Sequence, residues 1–187
     1  MLLKNFNVLV VDDVVLMCDF LYGVAKKVPG CYAFKALDGK TAAETLENEA
    51  IDLLITDIEM KGPTGLELIY RVRSGSFAST AHDIPIIIFS GNAYLELIQQ
   101  SISYDVNDFL AKPITADQLI RKIQHHLQTE KQIKSAAHYL ALNSDFSAKT
   151  AVPDENRKVS VAIVRELSHK PEAEPVDTDA SSKKADE

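Results

Sequence analysis

The chain has 187 residues, enough for one domain of ordinary size plus an appendage. Its 20 Lys and Arg against 27 Asp and Glu leave a net charge of -7, which argues against nonspecific binding to nucleic acid or to an anionic membrane. With 46% apolar residues it can bury a sizeable core, yet no stretch approaches the ~18 apolar residues of a membrane span.

Cys18 and Cys31 are the only cysteines, and neither their number nor their spacing suggests a disulfide framework or a zinc site. They read as small core residues of a cytosolic protein. The opening MLLKNFNVLVVDD has too short an apolar run for a signal peptide.

In chain order, residues 6–11 (FNVLVV) predict a first strand ending in Asp12 and Asp13. A helix follows over about 14–28, stopped by Pro29-Gly30. Residues 31–36 (CYAFKA) are strand-like, and Asp38-Gly39 lead into a helix with Ala42, Ala43 and Leu46 inward. The run Leu53-Leu54-Ile55 has no polar alternation, so it reads as a strand covered on both faces, and it stops at Asp57. Thr64 to Glu67 has capping-box spacing and opens the next helix. Residues 84–89 (IPIIIF) are the plainest buried strand, ended by Ser90-Gly91, with a helix over about 93–104 after it. The short strand 108–111 runs into Lys112-Pro113, and Thr115 to Gln118 is a second capping-box signal.

Five alternations of strand and helix imply parallel βαβ units. The fold class expected is α/β: a flavodoxin-like, doubly wound, five-stranded parallel sheet in order 2-1-3-4-5 with helices on both faces.

Four of the five strands then end in a polar residue: Asp12 and Asp13, Asp57, Ser90 and Lys112. In a parallel sheet these ends share one edge. Three carboxylates there repel one another unless a divalent cation such as magnesium neutralises them. A carboxylate nucleophile, a metal, a lysine and a hydroxyl together suit an incoming phosphoryl group. No glycine-rich phosphate loop is present, so a nucleotide site is not expected. Taken singly, each residue except Asp57 reads as a helix cap, a loop residue or a surface lysine. Four strand ends in one sheet make that bland reading hard to sustain.

The pieces VLVVDD at 8–13, LLITDIEM at 53–60 with Gly65, IIIFSG at 86–91 and DFLAKP at 108–113 resemble the receiver domain of two-component response regulators. The resemblance spans residues 6 to about 128. It implies that Asp57 accepts phosphate from a phosphohistidine on a sensor histidine kinase or phosphotransfer protein. It implies that Asp12, Asp13, Asp57 and the backbone carbonyl of Glu59 hold Mg2+ or Mn2+. Ser90 takes the hydroxyl position that follows the phosphoryl group, Lys112 that of the conserved lysine, and Phe109 that of the switch aromatic. A downstream protein target, a cytoplasmic location and no catalysis beyond self-phosphorylation and self-dephosphorylation come with it. The sequence departs from the family at Lys61, where proline is usual, and at Asp105, where glycine is common. Asp tolerates the left-handed conformation better than most residues, so that turn is expected to survive. Glu59 and Asn92 occupy positions that tune the lifetime of the acyl phosphate.

Two other classes compete. An aspartyl-phosphate hydrolase needs an aspartate two residues after the nucleophile, where Glu59 stands. A constitutive scaffold with a vestigial site has no reason to keep Asp12, Asp13, Asp57, Ser90 and Lys112 together.

Beyond the receiver at 1–128, residues 129–145 are expected to extend the last helix, as one helix to about Leu142 or a bent pair. Leu119, Ile123, Leu127, Ile133, Ala137 and Leu140 lie near heptad spacing, interrupted by His126 and Glu130. The stripe is expected to be covered by a second copy in a modest homodimer, by residues 159–167 folded back, or by another protein. His125 and His126 read as solvent-exposed. Residues 146–187 have the composition of a mostly flexible tail, with a candidate strand at 158–167. Residues 129–187 carry 9 basic and 11 acidic side chains and show no basic recognition helix.

Overall fold

The computed structural model describes residues 5–91 and 95–142, and side chains throughout these except at 95–97. Asn92, the tail from 146 onward and the strand expected at 158–167 lie outside the described residues.

Strands β1 (Phe6–Val11), β2 (Cys31–Ala36), β3 (Leu53–Thr56), β4 (Ile86–Ser90) and β5 (Asp108–Ala111) alternate with helices α1 (Val15–Ala25), α2 (Gly39–Asn48), α3 (Gly65–Arg73), α4 (Leu95–Ser103) and α5 (Ala116–Gln128). The strands are parallel, in the expected order β2-β1-β3-β4-β5. No helix among the described residues is long and apolar enough to cross a membrane.

Local chemistry starts the helices where the sequence places them. The Asp38 carboxylate accepts the Thr41 N–H ahead of α2. The Thr64 hydroxyl does the same for Glu67 at the head of α3. At α5, Thr115 and Gln118 cap each other's backbone reciprocally, the full capping box.

Two apolar layers flank the sheet. Val8, Val10, Leu53, Ile55, Ile87, Phe89 and Leu110 meet α1 and α5 through Cys18, Leu21, Val24, Leu119 and Ile123. Leu9, Val11, Leu54, Ile86 and Ile88 point the other way and meet α2 and α3 through Leu46, Leu66, Ile69 and Val72. β3 and β4 are covered on both faces, which is why their sequences show no polar alternation. Cys18 is buried and Cys31 half-buried, and neither is in a disulfide.

The structure corrects the expectation of one long helix to about Leu142 and is nearer the alternative of a bent pair, with a break between two helices. α5 ends at Gln128, residues 129–135 have no regular structure, and a short helix α6 (Ala136–Ala141) follows. The segment folds back onto the domain. Tyr139 is fully buried in the apolar layer on the α2 and α3 face of the sheet, and α6 packs on α3. Its phenol donates to Asp105 Oδ2 at 2.6 Å and accepts the Lys134 N–H at 3.1 Å. The heptad reading failed because Tyr139, not Ala137 or Leu140, carries the burial, and Leu140 stays 54% exposed. The homodimer expected through an extended helix therefore has no such helix among the described residues to form on.

Arg73 shares the Asp105 turn with this segment and is also fully buried. Its guanidinium donates to the carbonyls of Tyr104, His82, Ile84 and Asp105 and to Asn107 Oδ1. Asp105 itself has φ 50, the left-handed conformation anticipated for it.

Burial, then the bond to Asp105, pushes the Tyr139 phenol up from 10.0 to about 12. A raised folded-state pKa gives stability that is complete below pH 10 and is lost as pH climbs toward 12. In a near-ultraviolet alkaline titration of the 6 tyrosines, Tyr139 should ionise last, together with loss of the docked segment. If Tyr139→Phe leaves the latest-titrating phase in place, the buried phenol is misassigned.

Candidate functional site

Register brings the site together. Val11 lies opposite Thr56 in the β1–β3 pair, so Asp12 and Asp57 are the next residues off the sheet, side by side. Ser90 closes β4 opposite Ala111, so Lys112 is the first residue past β5, and its N–H donates to the Ser90 carbonyl at 2.9 Å. Strand alternation then sorts the side chains. Asp12, Asp57 and Lys112 continue the sets that face α1 and α5. Ser90 continues Ile86 and Ile88, and Phe109, in register with Ile88, packs half-buried against that opposite layer.

The Lys112 ammonium donates to Asp12 Oδ2 and to Asp57 Oδ2, each at 2.6 Å. It sits 5.0 Å from the centre of the Phe89 ring, a buried apolar floor that also attracts a cation. Burial pushes the Lys112 pKa down, but the hydrogen bonds to Asp12 and Asp57 outweigh it, and the net shift is upward. The lysine is therefore charged at neutral pH. Backbone groups orient both acids. Asp57 Oδ1 accepts the N–H of Ile58 at 2.6 Å and of Glu59 at 3.3 Å, and Asp12 Oδ1 accepts that of Val14 at 2.9 Å.

Glycines let the loop after Asp57 close. A Cβ on Gly65 would stand 1.8 Å from the Asp57 carbonyl oxygen and 2.9 Å from Thr56 Oγ1. A Cβ on Gly39 would stand 2.0 Å from the carbonyl of Pro63. Lys61 precedes Gly62, whose φ of 81 turns the chain where the family's usual proline is missing.

Of the residues singled out from the sequence, Asp12, Asp57 and Ser90 are buried at the edge, Asp13 is half-buried beside Asp12, and Glu59 is exposed. Among the described residues, no three His, Cys, Asp or Glu side chains gather as a metal-holding group. The donor chemistry that does converge, two carboxylates with a backbone carbonyl nearby in the chain, fits an ion that keeps several waters and takes one or two carboxylates.

Two features escaped sequence reasoning. Phe89 under Lys112 is one; nothing local to either residue signals their meeting. The other is His126, read as exposed. Its side chain is only 10% exposed, and Nε2 lies 2.9 Å from Asp108 Oδ2, which also accepts from Lys122 at 2.8 Å. Burial pushes the Asp108 carboxyl up, but the bonds from His126 and Lys122 outweigh it and leave its pKa below the ordinary value. His125 is exposed, as expected. This cluster borders an open cavity of about 290 Å³ whose walls include Ile98, Ile102, Phe109 and Lys122.

A parallel 2-1-3-4-5 sheet whose carboxyl edge joins two aspartates through one lysine defines a receiver, and residues 8–124 match the family model described as the response regulator receiver domain. The chain belongs to that family. Among its relatives, the chemotaxis protein CheY of Pseudomonas aeruginosa is 29% identical over 118 residues, 63% of this chain and 93% of that protein. The transcription factor SKN7 of Saccharomyces cerevisiae is 33% identical over 116 residues, 62% of this chain but 18% of its own length. A solved response regulator receiver protein from Pseudomonas putida matches with a TM-score of 0.58 at 30% identity, over 65% of this chain and 98% of that one. A CheY-like receiver domain protein from Methanospirillum hungatei shares the fold, with a TM-score of 0.60 at 22% identity over 66% of this chain and 94% of its own.

Lys112→Met leaves two buried carboxylates facing each other without a cation, and should cost about 3 kcal/mol in urea unfolding. Adding Asp57→Asn should recover part of that loss; a single variant as stable as the parent would show that the acids do not depend on the ammonium. Gly65→Ala should cost about 1–3 kcal/mol by forcing the loop off the Asp57 carbonyl, and an unchanged denaturation midpoint would contradict the close approach.

Proposed function

We propose that this receiver is a phosphorylation-controlled switch in which Asp57 accepts a phosphoryl group from a phosphohistidine on a sensor histidine kinase or phosphotransfer protein. The observation that carries this reading is Lys112, held 2.6 Å from both Asp12 and Asp57. A carboxylate oxygen of Asp57 forms the new P–O bond as the donor's N–P bond breaks, and the electron pair of that bond stays on the imidazole. The backbone N–H groups of Ile58 and Glu59 fix the carboxylate for attack. Lys112 then turns from the carboxylates to the phosphoryl oxygens, a short move for a charged group on a four-carbon stem. The Ser90 hydroxyl follows to donate a hydrogen bond, and Phe109 fills the space it leaves.

Asp12, Asp13, Asp57 and the backbone carbonyl of Glu59 would hold Mg2+ or Mn2+. When bound, that ion supplies positive charge to the phosphoryl oxygens in the transition state. The protein acts in the cytoplasm by offering a changed surface to a downstream protein, and its chemistry ends at phosphorylation and dephosphorylation of Asp57. Residues 1–128 are the receiver in this reading, with 129–145 as an appended segment and 146–187 as a tail.

Incubation with a small-molecule phosphodonor and magnesium should add one phosphoryl group, seen by intact mass. Asp57→Asn and a chelator should each abolish the uptake, and Lys112→Met should slow it. Equal uptake by Asp57→Asn would remove the assignment.

A further inference from the structure

The segment that folds back packs on α3, but its polar anchors on the domain lie at one place. Tyr139 donates to Asp105 Oδ2 at 2.6 Å, and Lys131 donates to the carbonyls of Asp105 at 3.3 Å and Val106 at 3.0 Å. These polar contacts all fall on two consecutive residues of the α4–β5 turn. The same turn is gripped from the other side. Arg73 holds the carbonyls of Tyr104 and Asp105 together with Asn107 Oδ1. Asn107 in turn accepts the Ile86 N–H at 3.0 Å and donates its own N–H to the Ile86 carbonyl at 2.9 Å, where β4 begins.

The turn feeds directly into β5. Phe109 comes three residues after Val106, and the two pack against one apolar cluster that also contains Tyr139. Phe109 is paired in register with Ile88, two residues before Ser90. Asp105 keeps a left-handed φ of 50 that glycine would adopt without cost. What aspartate adds there is the carboxylate that Tyr139 uses.

We propose that residues 129–141 are a latch that closes on the unphosphorylated receiver and opens when Asp57 carries a phosphoryl group. The docked geometry matches the state in which Lys112 rests on Asp12 and Asp57. Repacking of Phe109 shifts the β5 entrance that Lys131 and Tyr139 hold, so contacts fitted to the present arrangement weaken. An equilibrium moves only by the difference in affinity for its two states, and that difference works in both directions. Phosphorylation therefore loosens the latch, and a weakened latch makes the phosphorylated arrangement easier to reach. The proposal rests on Asp57 being the phosphoacceptor.

The test uses the full chain with beryllium fluoride and magnesium. Bound fluoride is followed by fluorine NMR, and amide hydrogen exchange over 129–141 by mass spectrometry. The expected result is saturable, Asp57-dependent binding together with faster exchange across the latch. Asp105→Gly keeps the turn but removes the anchor, and Tyr139→Phe keeps the ring but removes the donor. Each should lower the half-saturating beryllium fluoride concentration, by up to about 10-fold, the most that one ordinary hydrogen bond supplies. Binding with unchanged or slower exchange over 129–141 overturns the latch and leaves the phosphoacceptor reading standing. Binding that both variants leave at the parent's affinity does the same. No binding by the parent chain overturns both.

Discussion

The structure depends on one ammonium group. Parallel pairing of β1 with β3 puts Asp12 and Asp57 flush at the sheet edge, both largely withdrawn from water. Two buried carboxylates side by side repel each other unless positive charge stands between them. Lys112 supplies it from the far side of β4, because β5 ends one residue earlier. Phe89 beneath the lysine and the glycine-dependent loop after Asp57 keep the cation and the acid at hydrogen-bonding distance. A group that already neutralises two anions is positioned to meet a third.

The opposite end of the sheet has its own organising charge. Arg73 is buried with carbonyl oxygens and one amide oxygen as its partners, so its charge is dispersed over the ends of several chain segments rather than matched by one carboxylate. Burial pushes its pKa down, although it remains well above neutral. A helix of six residues such as α6 does not persist alone in water. It exists here because Tyr139 reaches the core beside Arg73 and finds both a donor and an acceptor for its hydroxyl.

The features legible in the sequence were those set by near neighbours. Apolar runs ending in Asp57 and Ser90, the Thr115–Gln118 box and the left-handed tolerance of Asp105 all declare themselves within a few residues. The features that were misread depend on distant partners. His126 looked exposed because helix spacing considers only its own helix, while its partner Asp108 lies on β5. The heptad-like spacing from Leu119 to Leu140 suggested one continuous stripe, but Tyr139 off that stripe found Asp105, 34 positions away. The meeting of Lys112 with Asp12, 100 positions apart, was recoverable only because sheet topology could be inferred first.

Strand alternation has a further consequence. Asp12, Asp57 and Lys112 lie on one side of the sheet's mean plane, and Ser90 with Phe109 on the other. The sheet thus acts as a septum between an ionic compartment and a steric one. Ionic strength and counterions address the first, where the currency is charge. Side-chain volume addresses the second, although the open space beside Phe109 is walled not only by Ile98 and Ile102 but also by Asp108, Lys122 and His126. The two meet at the rim where β4 and β5 end and again in that open space, where Phe109 borders the pairs that Asp108 forms with Lys122 and His126.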